Sequence, residues 1–169
     1  MGTVPVIRLL AGVVLTLILS ACSIQLAPLY DQKVVDAISA ANVQTLTLFA
    51  SLERGSSAAE FPKFSTRYDQ SIGAFDALRI QTDAREVPPL VGHLSKAKGL
   101  SDLCTSLGGT IASCVNSSPL WLGQIVERLT YMRQLHRTKG LPADRVAQSK
   151  THYEGWMLNL ITVENALKR

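Results

Sequence analysis

Three histidines, His93, His136 and His152, are the side chains here with the chemistry to hold a metal ion or relay a proton near neutral pH. None of them forms an i, i+4 pair, the spacing that puts two imidazoles on one helical face. A tight turn at Gly140 would bring His136 level with a position near residue 145. His152 then lies about 10 Å further along its helix, at a rise of 1.5 Å per residue. The two cannot share an ion, so the expectation is no metal site and histidines that are solvated or cap helices. Asp69, Asp76 and Asp83 recur every seven residues, which lines carboxylates along one side of a helix as a solvated face. Ser106-Leu107-Gly108-Gly109 offers glycines near a hydroxyl, but no Gly-x-Ser-x-Gly elbow accompanies it. A phosphate-cradling loop and a dinucleotide fingerprint are also missing from the sequence. These residue types point away from an enzyme.

The cysteines carry a clearer message. Cys22 closes an apolar run over residues 9–19 that opens after Arg8. One positive charge, an apolar core and small residues before a cleavage point compose a secretory signal. The run is too short for a membrane span, the alternative, which needs roughly 20 apolar residues. Leu19-Ser20-Ala21-Cys22 resembles the lipobox of bacterial lipoproteins. The resemblance implies diacylglycerol transfer to the Cys22 thiol, cleavage after Ala21 and acylation of the new amino group. A thiolate is the right nucleophile for that alkyl transfer; in an ordinary signal peptide Cys22 would instead be incidental. Apart from this covalent lipid no cofactor is expected. Several acyl chains anchor firmly where one is marginal, each buried methylene adding about 0.8 kcal/mol. By the same resemblance Ser23, standing where an Asp would retain the protein in the inner membrane, implies the outer membrane with the body facing the periplasm. Residues 22–31 and 131–136 are further similar to small proteobacterial helical lipoproteins of unassigned function, a likeness that transfers no activity.

Cleavage divides the chain into a leader at 1–21, a lipidated tether at 22–30 and a body at 31–169. The mature chain keeps 148 of the 169 residues, enough to bury a core of its own. Arg8 is the only charge in the leader, so the net charge falls from +4 to +3. That mild balance gives no reason to expect a nucleic-acid partner. With Cys22 acylated, Cys104 and Cys114 remain as an even pair, most simply a disulfide in an oxidising compartment, with free thiols or a metal site as alternatives. Closing a loop of this size contributes on the order of 2–3 kcal/mol.

Positioning these groups falls to helices. Asp31 is an N-cap candidate, followed by an apolar stripe at Val34, Ile38, Ala41, Thr45, Phe49 and Leu52. A second stripe runs Phe64, Tyr68, Ile72, Phe75, Leu78 and Thr82, and Val87-Pro88-Pro89 stops it. Its start is ambiguous between a Ser57/Glu60 capping box and a first-turn Pro62. Residues 90–117 lack a period, with short helices possible at 90–98 and 100–107. Ser118 as N-cap with Pro119 starts a third stripe at Leu122, Ile125, Leu129, Met132 and Leu135. Gly140 ends it, Pro142 opens the next, and Val146, Lys150, Tyr153, Met157, Leu160, Val163 and Leu167 form the fourth, with Gly155 placed for close helix packing. The expected fold is all-α: an antiparallel four-helix bundle with an irregular, disulfide-pinned segment between its second and third helices.

Two surfaces remain as candidates for contact with a partner. Arg133, His136, Arg137, Lys139 and Arg145 flank the last turn; cations there also favour a helix C-terminus, and the functional alternative is an acidic protein, lipid phosphates or the anionic cell wall. Trp121, Tyr131, Tyr153 and Trp156 lie on the same two helices, and Trp156 beside Met157 could mark a groove. The expected function is a non-enzymatic, membrane-anchored adaptor or accessory protein of the envelope; the alternative is a helical carrier of a lipid or small molecule.

Overall fold

A computed structural model of the chain describes residues 27–86, 88, 102, 104–106 and 110–168. The leader, Cys22, Ser23, His93 and the short helix expected at 90–98 lie outside the described residues, as does part of the one at 100–107. The chain forms α1 (Gln32–Ser51), a 3-10 turn (Ala58–Lys63), α2 (Ser65–Asp83), a short α3 (Ile111–Val115), α4 (Ser118–Lys139) and α5 (Ala143–Ala166). The four long helices pack in a ring, α1 on α2, α2 on α4, α4 on α5 and α5 back on α1, each neighbour antiparallel to the last. The molecule is an all-α four-helix bundle, and the Cys104–Cys114 disulfide pins the segment between α2 and α4. Among the described residues no helix is long and apolar enough to cross a membrane.

Local chemistry sets each boundary. The Asp31 carboxylate accepts from the Lys33 amide at 2.9 Å and starts α1. Its whole expected stripe is buried, from Val34 to Leu52. The Ser57/Glu60 box is real, with the Glu60 carboxylate accepting from the Ser57 amide at 3.2 Å, but it caps the 3-10 turn. Pro62 lies within that turn, and α2 starts only at Ser65. Ser117, not Ser118, precedes α4; the Ser118 hydroxyl is drawn inward to Glu164 instead, at 2.6 Å. In α5 the buried stripe is Val146, Ser149, Tyr153, Met157, Leu160 and Glu164, so Lys150 is displaced to the surface by the smaller Ser149. Gly155 serves no close approach, because a Cβ there would meet nothing within 4 Å.

The core is one continuous cluster. Leu122, Ile125, Leu129 and Met132 of α4 are each 0% exposed, and burying one such side chain contributes about 1.5–3 kcal/mol. Phe49, Tyr153 and Phe75 link α1, α5 and α2 at its centre, with ring centroids 5.3 and 6.1 Å apart. The Tyr153 hydroxyl reaches Asn42 Oδ1 at 2.7 Å.

The antiparallel order gives the bundle two unlike ends about 30 Å apart, the length of a 20-residue helix. At the turn pole lie residues 52–64 and 140–142. At the terminal pole the chain enters α1 and leaves α5, with the Lys168 ammonium 5.8 Å from the Tyr30 ring centroid.

Candidate functional site

At the turn pole the two connections are clasped together. Ser56 and Leu141 exchange both backbone hydrogen bonds, at 2.9 and 2.8 Å. Gly55 and Gly140 flank this bridge with φ of +78° and +80°, values that disfavour any residue with a Cβ. A Cβ on Gly140 would stand 3.0 Å from the Ser56 carbonyl oxygen, so conformation and space both call for glycine.

His136 locks the clasp from beneath. It is fully buried, ringed by Phe61, Phe64 and Tyr68 at 5.4–5.9 Å. Its Nε2 lies 3.2 Å from the Ser57 carbonyl and its Nδ1 3.3 Å from the Tyr68 hydroxyl. Burial pulls its pKa below the ordinary histidine value, against the opposing pull of the Ser57 carbonyl and of Glu60. Burial likewise pushes the Tyr68 hydroxyl up. Glu60 is held down at about 2, chiefly by the Ser57 amide and then by Lys63.

The expected basic patch is therefore dispersed. His136 is core, not surface, because the last buried position of the α4 stripe falls on it. Arg133 pairs with Asp69 of α2, Arg137 donates to Gln134 and Arg145 to Gln148. Lys139 joins Arg54 and Pro142 around a shallow hollow over the clasp. Asp76 pairs with Arg79, and Asp83 is exposed.

A second surface lies along the seam between α4 and α5. The Arg128 guanidinium stands 5.7 Å from the Trp156 ring centroid and 5.8 Å from that of Tyr131. His152 stacks on Trp156 at 5.7 Å with the planes 23° apart. With Gln124 and Glu127 these groups line an open hollow of about 230 Å³. Arg128 is half-buried and takes part in none of the ion pairs among the described residues. A guanidinium held against aromatic faces keeps its N–H edge free for bidentate contact with a carboxylate or phosphate. Trp156 and Tyr131 stand out in the sequence; Arg128 does not. Its only signal is the i, i+3 spacing to Tyr131, and its meeting with Trp156 depends on the packing of two helices.

The terminal pole holds a buried ion pair that the apolar stripes give no reason to expect. Arg85 meets Glu164 in two bonds of 2.9 and 3.0 Å, the side chains being 11% and 2% exposed. Asn116 donates to the Thr82 carbonyl at 2.7 Å, fastening the disulfide-bearing segment to the end of α2. Among the described residues no three His, Cys, Asp or Glu side chains converge as metal ligands would.

No protein-family model, curated protein or solved structure matches this chain.

Proposed function

We propose that this protein is a lipid-anchored, non-enzymatic adaptor of the bacterial envelope, acylated at Cys22 and facing the periplasm from the outer membrane. The lipobox-like Leu19–Cys22 and the charged, apolar leader support the anchor. Ser23 supports the outer membrane. The Cys104–Cys114 disulfide suits an oxidising compartment. The partner is a protein, and the observation that carries this is the Arg128–Tyr131–Trp156 seam. Trp, Tyr and Arg are the residue types in which interface energy concentrates, and here they meet at the surface with no ion pair to Arg128 among the described residues. The matching partner surface presents an Asp, Glu or terminal carboxylate beside an apolar side chain.

The carrier reading needs an apolar cavity between the helices. Leu122, Ile125, Leu129, Met132 and Leu160 stand in that space at 0% exposure, which favours the adaptor. The test is photo-crosslinking from position 131 of the lipidated protein in native envelopes. One protein adduct should form, and Arg128→Ala or Trp156→Ala should weaken its capture by about 30-fold, the scale of a 2 kcal/mol hot spot. Recovery of a bound lipid with no protein adduct would overturn the adaptor in favour of the carrier.

A further inference from the structure

The exposed apolar side chains of this bundle are not scattered. Seven large hydrophobic residues are exposed among the described residues, and five of them, Leu29, Ile80, Leu120, Leu158 and Ile161, belong to the terminal pole. Leu29 lies two residues before the Asp31 cap. Ile80 is three residues from the end of α2, Leu120 two from the start of α4. Ile161 and Leu158 are five and eight residues from the end of α5. At 1.5 Å per residue the whole set lies within about 12 Å of that end. Four of the five exceed 45% exposure, Leu29 reaching 74%. The surface of α5 is uncharged over residues 155–166, because its one charged residue there, Glu164, is turned inward onto Arg85. The turn pole is charged instead, with Arg54, Lys63, Arg137, Lys139 and Arg145 beside Glu53, Glu60 and Asp144.

The chain itself says which end meets a membrane. Four residues separate Cys22 from Ala27, and the five Cα-to-Cα steps reach at most about 18 Å. Pro28 is buried and stands four residues before α1, so the tether is attached at the terminal pole. The turn pole is about 30 Å further away.

We propose that the terminal pole is a second, non-covalent membrane contact: a collar of Leu29, Ile80, Leu120, Leu158 and Ile161 that rests in the interface of a zwitterionic phospholipid bilayer and holds the bundle upright. The collar's extent of about 12 Å is close to the roughly 5–10 Å to which interfacial apolar groups sink. At the same pole the exposed Asp36, Asp83 and Glu86 outnumber the exposed Lys33 and Lys168, a balance that favours zwitterionic headgroups bearing an amine over a net anionic surface. This proposal rests on the anchoring at Cys22 set out above. Its consequence is that the turn pole points away from the anchoring leaflet and the Arg128–Trp156 seam stands along the bilayer normal, open from the side.

The test uses the full lipidated chain, in which Cys22 is acylated and Cys104 and Cys114 are paired, so an introduced cysteine is the free thiol. Leu120→Cys, Ile161→Cys and Lys139→Cys are each labelled with an environment-sensitive fluorophore and placed in phosphatidylcholine–phosphatidylethanolamine vesicles containing lipids spin-labelled near the headgroup. Emission from positions 120 and 161 should fall by about half, as expected for groups at the interface. Position 139 should respond only to aqueous iodide. A second variant, Leu158→Glu with Ile161→Glu, alters only exposed positions; it should stay membrane-bound through its lipid while the probe at position 120 becomes accessible to iodide. If all three probes respond alike to iodide in a chain whose mass shows the lipid, the collar is refuted and the anchor stands. A chain without lipid overturns the anchor and the collar together. Stronger quenching on anionic than on zwitterionic vesicles would overturn the assignment of the headgroup.

Discussion

The Ser57 carbonyl can only accept a hydrogen bond, so the Nε2 of His136 carries the hydrogen and Nδ1 accepts from the Tyr68 hydroxyl. Protonation at Nδ1 would remove that acceptor and set a charge among Phe61, Phe64 and Tyr68. The native state therefore binds this proton less readily than the unfolded chain, whose histidine titrates near 6.5. Stability from this group is complete above about pH 6.5 and falls as pH drops toward the lowered native value, by up to about 1.4 kcal/mol per pH unit. His136→Gln offers the same donor and acceptor without a titration. Denaturant unfolding between about pH 7.5 and pH 5 should show a loss in the parent protein that the glutamine variant lacks. Glu60 acts in a separate window: its stabilising contribution is present above 4.5 and is lost as pH falls toward about 2. At the other pole, Arg85→Met would strand the Glu164 carboxylate in a buried site. The expected cost is about 3–5 kcal/mol, and adding Glu164→Leu with Ser118→Ala should recover most of it, because the penalty is an uncompensated charge. Equilibrium unfolding of the two variants measures both terms.

The two glycines of the last helical hairpin have opposite roles. Gly140→Ala meets a positive φ and a carbonyl 3.0 Å from the new methyl, for an expected loss of about 1–3 kcal/mol. Gly155→Ala enters open space on a helix and should add about 0.5–1 kcal/mol. Thermal unfolding of the pair separates them by sign. Helices of this kind are legible in sequence because each stripe pays attention only to its own period: Val34 to Leu52 and Leu122 to Met132 fall where the 3.6-residue repeat puts them. Boundaries slip where a terminal residue answers to a distant partner. Ser118 is an N-cap by local chemistry, yet Glu164, far along the chain, takes its hydroxyl. His136 carries the charge pattern of a helix end, yet it occupies a core position of the same stripe. The seam was half legible for a related reason. Trp156 and Tyr131 are conspicuous by type, whereas Arg128 becomes part of a site only when α4 lies against α5.

Among the described residues the exposed apolar side chains are sorted by end: a backbone clasp between charged turns at the turn pole, exposed leucines and isoleucines with an inward-facing ion pair at the terminal pole. The clasp adds a consequence in time. The α1–α2 and α4–α5 hairpins each close over a short connection, so each can assemble from local contacts. The bonds between Ser56 and Leu141 need both hairpins in place, so they are expected to form last, beyond the folding transition state. Interactions made that late act on escape from the native state, not on arrival. A loss of about 2 kcal/mol in Gly140→Ala should raise the unfolding rate about 30-fold and leave the folding rate within about twofold, as stopped-flow unfolding and refolding can measure. On this expectation, two hydrogen bonds at one end of the bundle govern how long the folded molecule lasts.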